Sequence, residues 1–459
     1  MAANPSRLAW LDVLRGIAAP AVALHHSAWT FVPAVWGVVD RRVDVGTWGV
    51  FVFFLVSGYI IPASLERRGD LRAFWTGRAF RLLPLLLAAL ALALLLAYAG
   101  VFETSPGLDR RPPPLVALAN LTMLQELIGV PSVINVMWTL SYEMAFYLMT
   151  AGLFAVRQAH RSAPIAVVLA VAAVPLGLLM PGATINGGAG TVAVLMAVAV
   201  ILVIVVTVTA NGRLRTAAAV IGGLLGLALV ILGSRIGAGQ GLVIAAVMFA
   251  GTAVWRAEQG TLRPVWAVTA LLTVLVCGVL VADEPAWAAA VLLAAGFFAL
   301  AFRLRHRSFP RWLAHLGVIS FSLYLLHPLL LRVVPNLPVF FLVLLVLGHV
   351  AYRLVEAPGQ RLGRRLNAYL RRPRKNRVKS GLWPCGRRVR GGPAALIPVR
   401  RRGRVMSEDQ DLHDPGHQGH EADVEGSSKM TAEQLREALA RVGKGEDTQS
   451  AKAEAESDQ

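Results

Sequence analysis

Long apolar stretches recur along the chain from residue 8 to residue 356. A membrane-spanning helix needs roughly 20 mostly apolar residues. Twelve stretches fit this length, several of them short enough to merge or re-enter: 8–32, 46–65, 81–101, 136–156, 164–181, 191–210, 217–233, 240–256, 264–282, 286–303, 313–331 and 336–356. The segment 115–129 is too short and too polar to cross, and we expect it at the surface. The pattern predicts an all-α, polytopic transmembrane helix bundle of about 10–12 helices.

The arginines between these stretches predict the orientation of the bundle. With the N-terminus inside, fifteen loop arginines lie on the inner side and six on the outer side. Cytoplasmic loops of membrane proteins carry an excess of Lys and Arg. We therefore predict a multi-pass protein of the plasma membrane with both termini in the cytoplasm.

The chain changes character after the last apolar stretch. Residues 359–406 carry sixteen Lys or Arg and no acid, whereas residues 407–459 carry fourteen acids and five bases. Because neither composition can build a core, we predict a membrane domain over 1–366 followed by a basic disordered segment over 367–406. The basic segment is expected to lie on the headgroups of membrane lipids. The remaining acidic tail is predicted to be disordered except for a short capped helix over 431–442.

The first apolar stretch carries four ionisable side chains within LDVLRGIAAPAVALHH. A charge inside the membrane costs on the order of 3 kcal/mol and usually indicates function. Asp12 and Arg15 are three residues apart and can pair on a helix. Arg15 and His26 are eleven residues apart, so they share one face at about 100° per residue. The spacing predicts a polar stripe of Asp12, Arg15 and His26, from which His25 points away.

Three other stretches carry polar side chains that could meet this stripe. Glu143 in MWTLSYEMAFYL and His327 in SFSLYLLHPLLL are expected in the outer half of the bilayer, as is His26. Ser57 in FFLVSGYII lies nearer the middle. A structural role is the alternative for each: packing for a lone histidine, and hydrogen bonding for a lone carboxylate. The basic run RAFRLLP can likewise serve orientation alone.

The composition agrees with a membrane protein and excludes other classes. Hydrophobic residues make up 56% of the chain, charged residues 16%, and the mean hydropathy is +0.58. The net charge of +18 lies mostly in loops and one tail, where orientation explains it better than nucleic-acid binding. Cys277 and Cys385 indicate neither a disulfide framework nor a metal site. No bound metal or cofactor is predicted.

The ordered motifs resemble those of the acyltransferase family 3 membrane proteins. LDVLRGIAAPAVALHH, FVFFLVSGYII, RAFRLLP, WTLSYEMAFYL and SFSLYLLHPLLL occur in that family's order, and HVAYRLVEAPGQRL resembles its last helix and exit. The resemblance covers residue 8 to about residue 366, weakly over 164–300. The chain departs from the family pattern in two features. Pro20 is expected to kink the first helix, and the twelve apolar stretches exceed the roughly ten helices usual for the family.

The resemblance implies an integral membrane O-acyltransferase. It would move a short acyl group, most simply acetyl, from acyl-CoA as co-substrate to a hydroxyl of an extracytoplasmic sugar or glycosylated small molecule. In the family, the arginine of the first helix precedes the essential histidine by eleven residues. The resemblance assigns the catalytic role to His26 and matches Arg78 and Arg81 to the family's paired arginines. From residue chemistry we further expect Glu143 to assist catalysis and Arg15, Arg78 and Arg81 to bind the donor. Support or acceptor contacts are expected from Asp12, Ser57, Tyr324 and His327. Whether an acyl-histidine forms stays open.

A secondary transporter is the main alternative. Many spans, intramembrane ionisable residues and termini on one side are typical of that class. However, no repeat relates the two halves of the chain, and the polar residues concentrate in the first, second, fourth and eleventh stretches. The ordered motifs therefore favour an acyltransferase. A third hypothesis is a scaffold protein whose tail is the functional part. Only the unusual composition of the tail supports it.

Overall fold

The computed structural model describes residues 9–184 and 190–371. These residues form helices joined by short connections, and no strand occurs among them. The prediction of an all-α bundle is confirmed. The acidic tail, the helix over 431–442 and nearly all of the basic segment lie outside the described residues.

Sixteen α-helices follow one another in the described part of the chain. The first eight are α1 (Ala9–Phe31), α2 (Pro33–Asp40), α3 (Val45–Arg68), α4 (Leu71–Tyr98), α5 (Pro113–Leu121), α6 (Trp138–Ala155), α7 (Ser162–Leu179) and α8 (Gly190–Thr209). The others are α9 (Gly212–Gly233), α10 (Ala238–Glu258), α11 (Pro264–Leu280), α12 (Pro285–Arg303), α13 (Arg311–Val318), α14 (Ser320–Leu330), α15 (Leu337–Ala351) and α16 (Ala357–Arg371).

Fewer helices than predicted are long enough to cross a membrane alone. By length and composition, eight helices among the described residues qualify, or nine if the bent pair α13–α14 is one span. That pair bends by 68°, within the predicted stretch 313–331. The protein is a multi-pass membrane protein, and the orientation of its termini stays a prediction.

Helix α1 passes through the bundle without a break at Pro20. Pro20, which differs from the residue usual at this place in the family that the motifs resemble, therefore does not interrupt the helix. Close packing of α1 on α13 depends on glycine, because a Cβ at Gly317 would lie 1.8 Å from the carbonyl oxygen of Asp12. The contact brings the first and the late helices of the chain together around the polar stripe.

Helix α4 begins ten residues before the predicted start, at Leu71. Asp70 caps it, since its carboxylate accepts hydrogen bonds from the backbone N–H of Arg72 at 3.0 Å and of Ala73 at 3.3 Å. The arginines of RAFRLLP therefore lie inside the helix and not in a loop. At 1.5 Å per residue, Arg78 is about 10 Å and Arg81 about 15 Å from the first residue.

The expected surface position of segment 115–129 is wrong for residues 123–128, whereas Ala117 and Leu121 in its first half are exposed. Its second half turns into the bundle, where Leu124, Gln125 and Leu127 are fully buried. The polar side chains that suggested exposure instead bond to buried backbone: the Nε2 of Gln125 donates to the carbonyl oxygen of Met137 at 2.8 Å. Non-helical backbone is tolerated at such depth where protein groups satisfy it.

Gly58 provides a test of the packing between α3 and α10. A Cβ at this position would lie 1.9 Å from the carbonyl oxygen of Met248. We expect Gly58→Ala to lower the free energy of unfolding by about 3 kcal/mol, because the two helices must move apart. Thermal melting of the purified protein in detergent measures the effect.

The matched control is Gly296→Ala in α12. A Cβ at Gly296 meets no atom within 4 Å. The change should stay within about 1 kcal/mol and be stabilising, since alanine favours a helix more than glycine does. Equal melting temperatures for the two variants would contradict the α3–α10 contact.

Candidate active site

A cavity of about 70 Å³ lies between α1, α3, α4, α6 and α14. We call it the central cavity. Five side chains singled out in the sequence line it, each from a different helix: Arg15, Ser57, Arg81, Glu143 and Tyr324. Aromatic and aliphatic side chains complete the wall. Since a water molecule occupies about 30 Å³ in the liquid, the cavity has room for a few waters and not for a coenzyme.

The ion pair expected from the spacing of Asp12 and Arg15 is present. Asp12 Oδ1 lies 3.9 Å from Arg15 Nη1, and the Arg15 side chain is only 13% exposed. At this distance the pair is electrostatic and not hydrogen-bonded. The guanidinium of Arg15 therefore keeps donor capacity toward the central cavity.

The two arginines of α4 differ in their surroundings. Arg78 Nη2 donates to Ser64 Oγ at 2.8 Å, and its guanidinium lies over the rings of Phe74 and Tyr147, 5.5 and 5.2 Å from their centroids. Arg81 lines the central cavity and makes no hydrogen bond or salt bridge to any other described residue. Arg78 therefore stabilises the packing of α4, whereas the guanidinium of Arg81 can bind a ligand in the central cavity.

Glu143 lies in the central cavity and not at the ring of His26. Its Oε1 accepts a hydrogen bond from Tyr147 Oη at 2.5 Å, and it shares the cavity with Arg15 and Arg81. No hydrogen bond joins it to His26 among the described residues. The structure thus separates two side chains that the sequence analysis assigned together to catalysis.

The partner of His26 is His327. Nδ1 of His26 lies 3.0 Å from the carbonyl oxygen of Val22 and 3.3 Å from Nε2 of His327. A carbonyl only accepts, so Nδ1 carries the proton in the neutral ring. The unprotonated nitrogen of His26 is then Nε2, which has the lone pair that a general base requires.

His26 also lines a second, much larger cavity of about 1210 Å³. We call it the large cavity. Polar side chains of α1 and of the connections before α5, α6, α10 and α15 contribute to its wall: Thr30, Glu103, Thr104, Ser105, Glu126, Ser132, Asn135, Arg235 and Arg332. A wall of hydroxyls, amides and charges is suited to a polar ligand.

Tyr324 lies between the two cavities. Its ring lines the central cavity, and its centroid is 6.0 Å from that of His327. Its hydroxyl donates to the carbonyl oxygen of Val136, which lines the large cavity, and lies 2.9 Å from Thr139 Oγ1. Tyr324 and His327 thus connect His26 with the arginine-lined centre of the bundle.

His25 points away from the stripe, as the sequence predicted. Its Nδ1 lies 3.3 Å from Asp40 Oδ1 and 3.7 Å from Asp44 Oδ1, joining α1 to α2 and to the N-cap of α3. Burial, the largest influence, raises the pKa of the Asp40 carboxyl. Among the described residues this trio is the group whose atoms lie close enough to hold a metal ion.

One buried acid near the centre was missed in the sequence. Glu356 is 2% exposed and lies in a π-helical segment, Tyr352–Glu356, between α15 and α16. Ser322 Oγ donates to its Oε2 at 2.9 Å, and its charge interacts with those of Arg15 and Arg81. The signal for it in the sequence is an acid that follows the apolar pair Leu354 and Val355 at the exit of the last predicted stretch.

Comparison with known proteins identifies the family. Residues 8–350, which are 343 of the 459 residues, match the family model of the acyltransferase domain, Acyl_transf_3. The chain belongs to acyltransferase family 3. The matched range of this family 3 protein includes His26, His327 and every side chain of the central cavity, whereas Glu356 lies beyond it.

The family 3 protein is similar to Acyltransferase MdmB of Streptomyces mycarofaciens. The two chains are 31% identical over 152 residues, which are 31% of this chain and 38% of the relative. The match thus spans well under two thirds of that relative. No solved structure matches the chain.

Proposed function

We propose that the protein is an integral membrane O-acyltransferase of the plasma membrane. It moves a short acyl group, acetyl in the simplest case, from cytosolic acyl-CoA to a hydroxyl of an extracytoplasmic sugar or glycosylated small molecule. Family membership supports acyl transfer. The observation that carries the proposal is the position of His26, which lines the large polar cavity and contacts His327. The ring of His327 in turn lies 6.0 Å from that of Tyr324, which lines the central cavity.

His26 acts as the general base on the acceptor. Its Nε2 takes the proton of the acceptor hydroxyl while the oxygen attacks the thioester carbonyl carbon. The C–O bond forms, the C–S bond breaks, and the imidazolium returns its proton to the thiolate. The products are the O-acyl ester and free coenzyme A, with no change of redox state.

Arg15 and Arg81 act on the donor. Both guanidinium groups face the central cavity, and fixed cations in a buried site stabilise negative charge on a thioester oxygen or a phosphate. The central cavity, at about 70 Å³, is too small to hold an acyl-CoA. Donor binding therefore requires the helices around Arg81 to separate.

The donor enters from the end of the bundle at which α3 meets α4. A cavity of about 790 Å³ there is lined by Arg157, Arg215 and Arg256 together with Glu66 and Asp70. Arginine suits the phosphates of a nucleotide. Helix α4 leads from this cavity to Arg81 over about 15 Å, a span that an extended pantetheine arm covers. The excess of loop arginines at the same end of the bundle supports a cytosolic position for it.

Release of coenzyme A thiol tests the reaction. Purified full-length protein in detergent is given radiolabelled acetyl-CoA and a panel of methyl glycosides. We expect acceptor-dependent thiol release together with label on at least one glycoside. Thiol release that does not depend on any acceptor, with no labelled product in cell-envelope material either, would contradict the proposal and favour a transport assay.

Glu356 gives a prediction about the donor arginines. We expect Glu356→Ala to lower kcat/KM for acetyl-CoA about tenfold, because Arg15 and Arg81 lose a counter-charge and shift. Glu356→Gln should lose less, since its amide oxygen still accepts from Ser322. Steady-state kinetics measure both variants.

The control for Glu356 is an exposed acid. Glu284 precedes α12 and is exposed. Glu284→Gln should leave kcat/KM unchanged. An equal loss in the Glu284 variant, or full activity in Glu356→Ala, would contradict the role of Glu356.

A further inference from the structure

Glu126 is a buried carboxylate in the large cavity that the mechanism does not use. It lies in the non-helical connection between α5 and α6, and its side chain is only 8% exposed. The same cavity is lined by His26. An acid so deeply buried requires a structural or functional reason, because burying a carboxylate is expensive unless it is paired.

The connection is held in place without this carboxylate. The side chain of Gln125 donates to the carbonyl oxygen of Met137 at 2.8 Å, and the backbone N–H of Glu126 donates to Ser141 Oγ at 3.2 Å. Further along, Asn120 Oδ1 accepts the N–H of Val133 at 3.0 Å. These bonds orient the segment and leave the oxygens of Glu126 free to face the cavity.

The single close cation does not satisfy Glu126. Arg235 Nη1 lies 3.6 Å from Oε2, beyond hydrogen-bond distance, and the Arg235 side chain is 51% exposed. No described residue donates a hydrogen bond to either carboxylate oxygen. A half-exposed pair of this kind contributes little to stability, so the pair does not explain why the acid is kept.

The backbone near Glu126 adopts a strained conformation at Met123. Met123 adopts φ 56°, which side chains other than glycine rarely adopt and which costs roughly 1–3 kcal/mol. Gly233 lets α9 approach the segment, since a Cβ there would lie 1.8 Å from the carbonyl oxygen of Leu127. This approach brings Arg235 next to Glu126.

We propose that Glu126 binds the acceptor, its two oxygens accepting hydrogen bonds from neighbouring hydroxyls of a sugar ring. A carboxylate has two acceptor oxygens, and a vicinal diol offers two O–H donors side by side. Arg235 donates to a further oxygen of the ring, and Phe102, also in the wall, packs against its C–H face. The assignment to the acceptor rests on the proposed function, whereas sugar binding by itself does not.

Binding without a donor tests this assignment. Full-length protein in detergent is titrated with methyl glycosides and their monodeoxy analogues in the absence of acyl-CoA, and thermal shift gives the Kd. We expect wild type to bind at least one glycoside. Glu126→Ala should raise that Kd about tenfold or more, because the variant loses one or two charge-assisted hydrogen bonds to the sugar.

The matched control is Asp109, an exposed acid of the connection between α4 and α5 that does not line the large cavity. Asp109→Asn should change the Kd less than about threefold, as expected for an exposed acid outside the cavity. Wild-type melting temperatures without ligand in both variants show that the fold is kept.

Deoxy analogues distinguish a direct contact from a structural effect. Removing the hydroxyls that Glu126 binds should weaken binding to wild type but not to Glu126→Ala, whereas removing other hydroxyls should weaken both equally. Equal Kd values for wild type and Glu126→Ala, no binding by wild type, or the same penalty for every deoxy analogue would each overturn the assignment. Glycoside binding without label transfer would instead contradict the proposed function.

Discussion

His26→Ala is expected to lower acetyl transfer from acetyl-CoA about a thousandfold, the usual contribution of a well-placed general base. The reason is positional. Val22 and His327 contact Nδ1 of His26, which leaves Nε2 as the nitrogen that we propose removes a proton from the acceptor. Label transfer from radiolabelled acetyl-CoA in membranes containing equal amounts of each variant measures the loss.

His25→Ala is the control for this experiment. The neighbouring histidine contacts Asp40 and Asp44 and does not share the stripe. We expect it to retain transfer within about fivefold, the loss coming only from a loosened end of α1. Equal activity in wild type, His25→Ala and His26→Ala would show that the stripe is not the site of acyl transfer.

Arg81→Ala is expected to lower kcat/KM for acetyl-CoA about a hundredfold, the cost of removing a half-buried cation from its ligand. The KM for the acceptor should stay unchanged, because the proposed acceptor site is the large cavity, which Arg81 does not line. Arg81→Lys should be intermediate, since lysine keeps the charge but lacks the planar fork of donors. Steady-state kinetics with each substrate varied in turn separate the two effects.

Arg78→Ala provides the contrast on the same helix. Its guanidinium already bonds to Ser64 and lies over two aromatic rings. We therefore expect a lower melting temperature and a smaller loss of kcat/KM than for Arg81→Ala. If Arg78→Ala lowered kcat/KM more than Arg81→Ala at an unchanged melting temperature, the assignment of the two arginines would be reversed.

The sequence by itself determined what depends on length and local geometry. Apolar stretches long enough to cross a bilayer predicted the helices, because every backbone polar group there must be satisfied within the segment. The rotation of about 100° per residue placed Asp12, Arg15 and His26 on one face and His25 on another. Helix geometry is local, so these relations did not require knowledge of the rest of the fold.

Helix ends were predicted less well where capping and hydrogen bonding decide. The start of α4 depends on the carboxylate of Asp70, and the burial of segment 115–129 depends on amides that bond to distant backbone. Both features look polar in the sequence. Polar residues signal exposure only when no buried partner exists, and that information is tertiary.

Only the tertiary structure decided the partners within the site. Contacts such as His26 with His327, or Ser322 with Glu356, join residues from separate helices, and no local periodicity encodes them. The same is true of Glu143, which faces the arginines instead of His26. A helix determines on which of its own faces a side chain lies, whereas the packing of all helices together determines what that side chain meets.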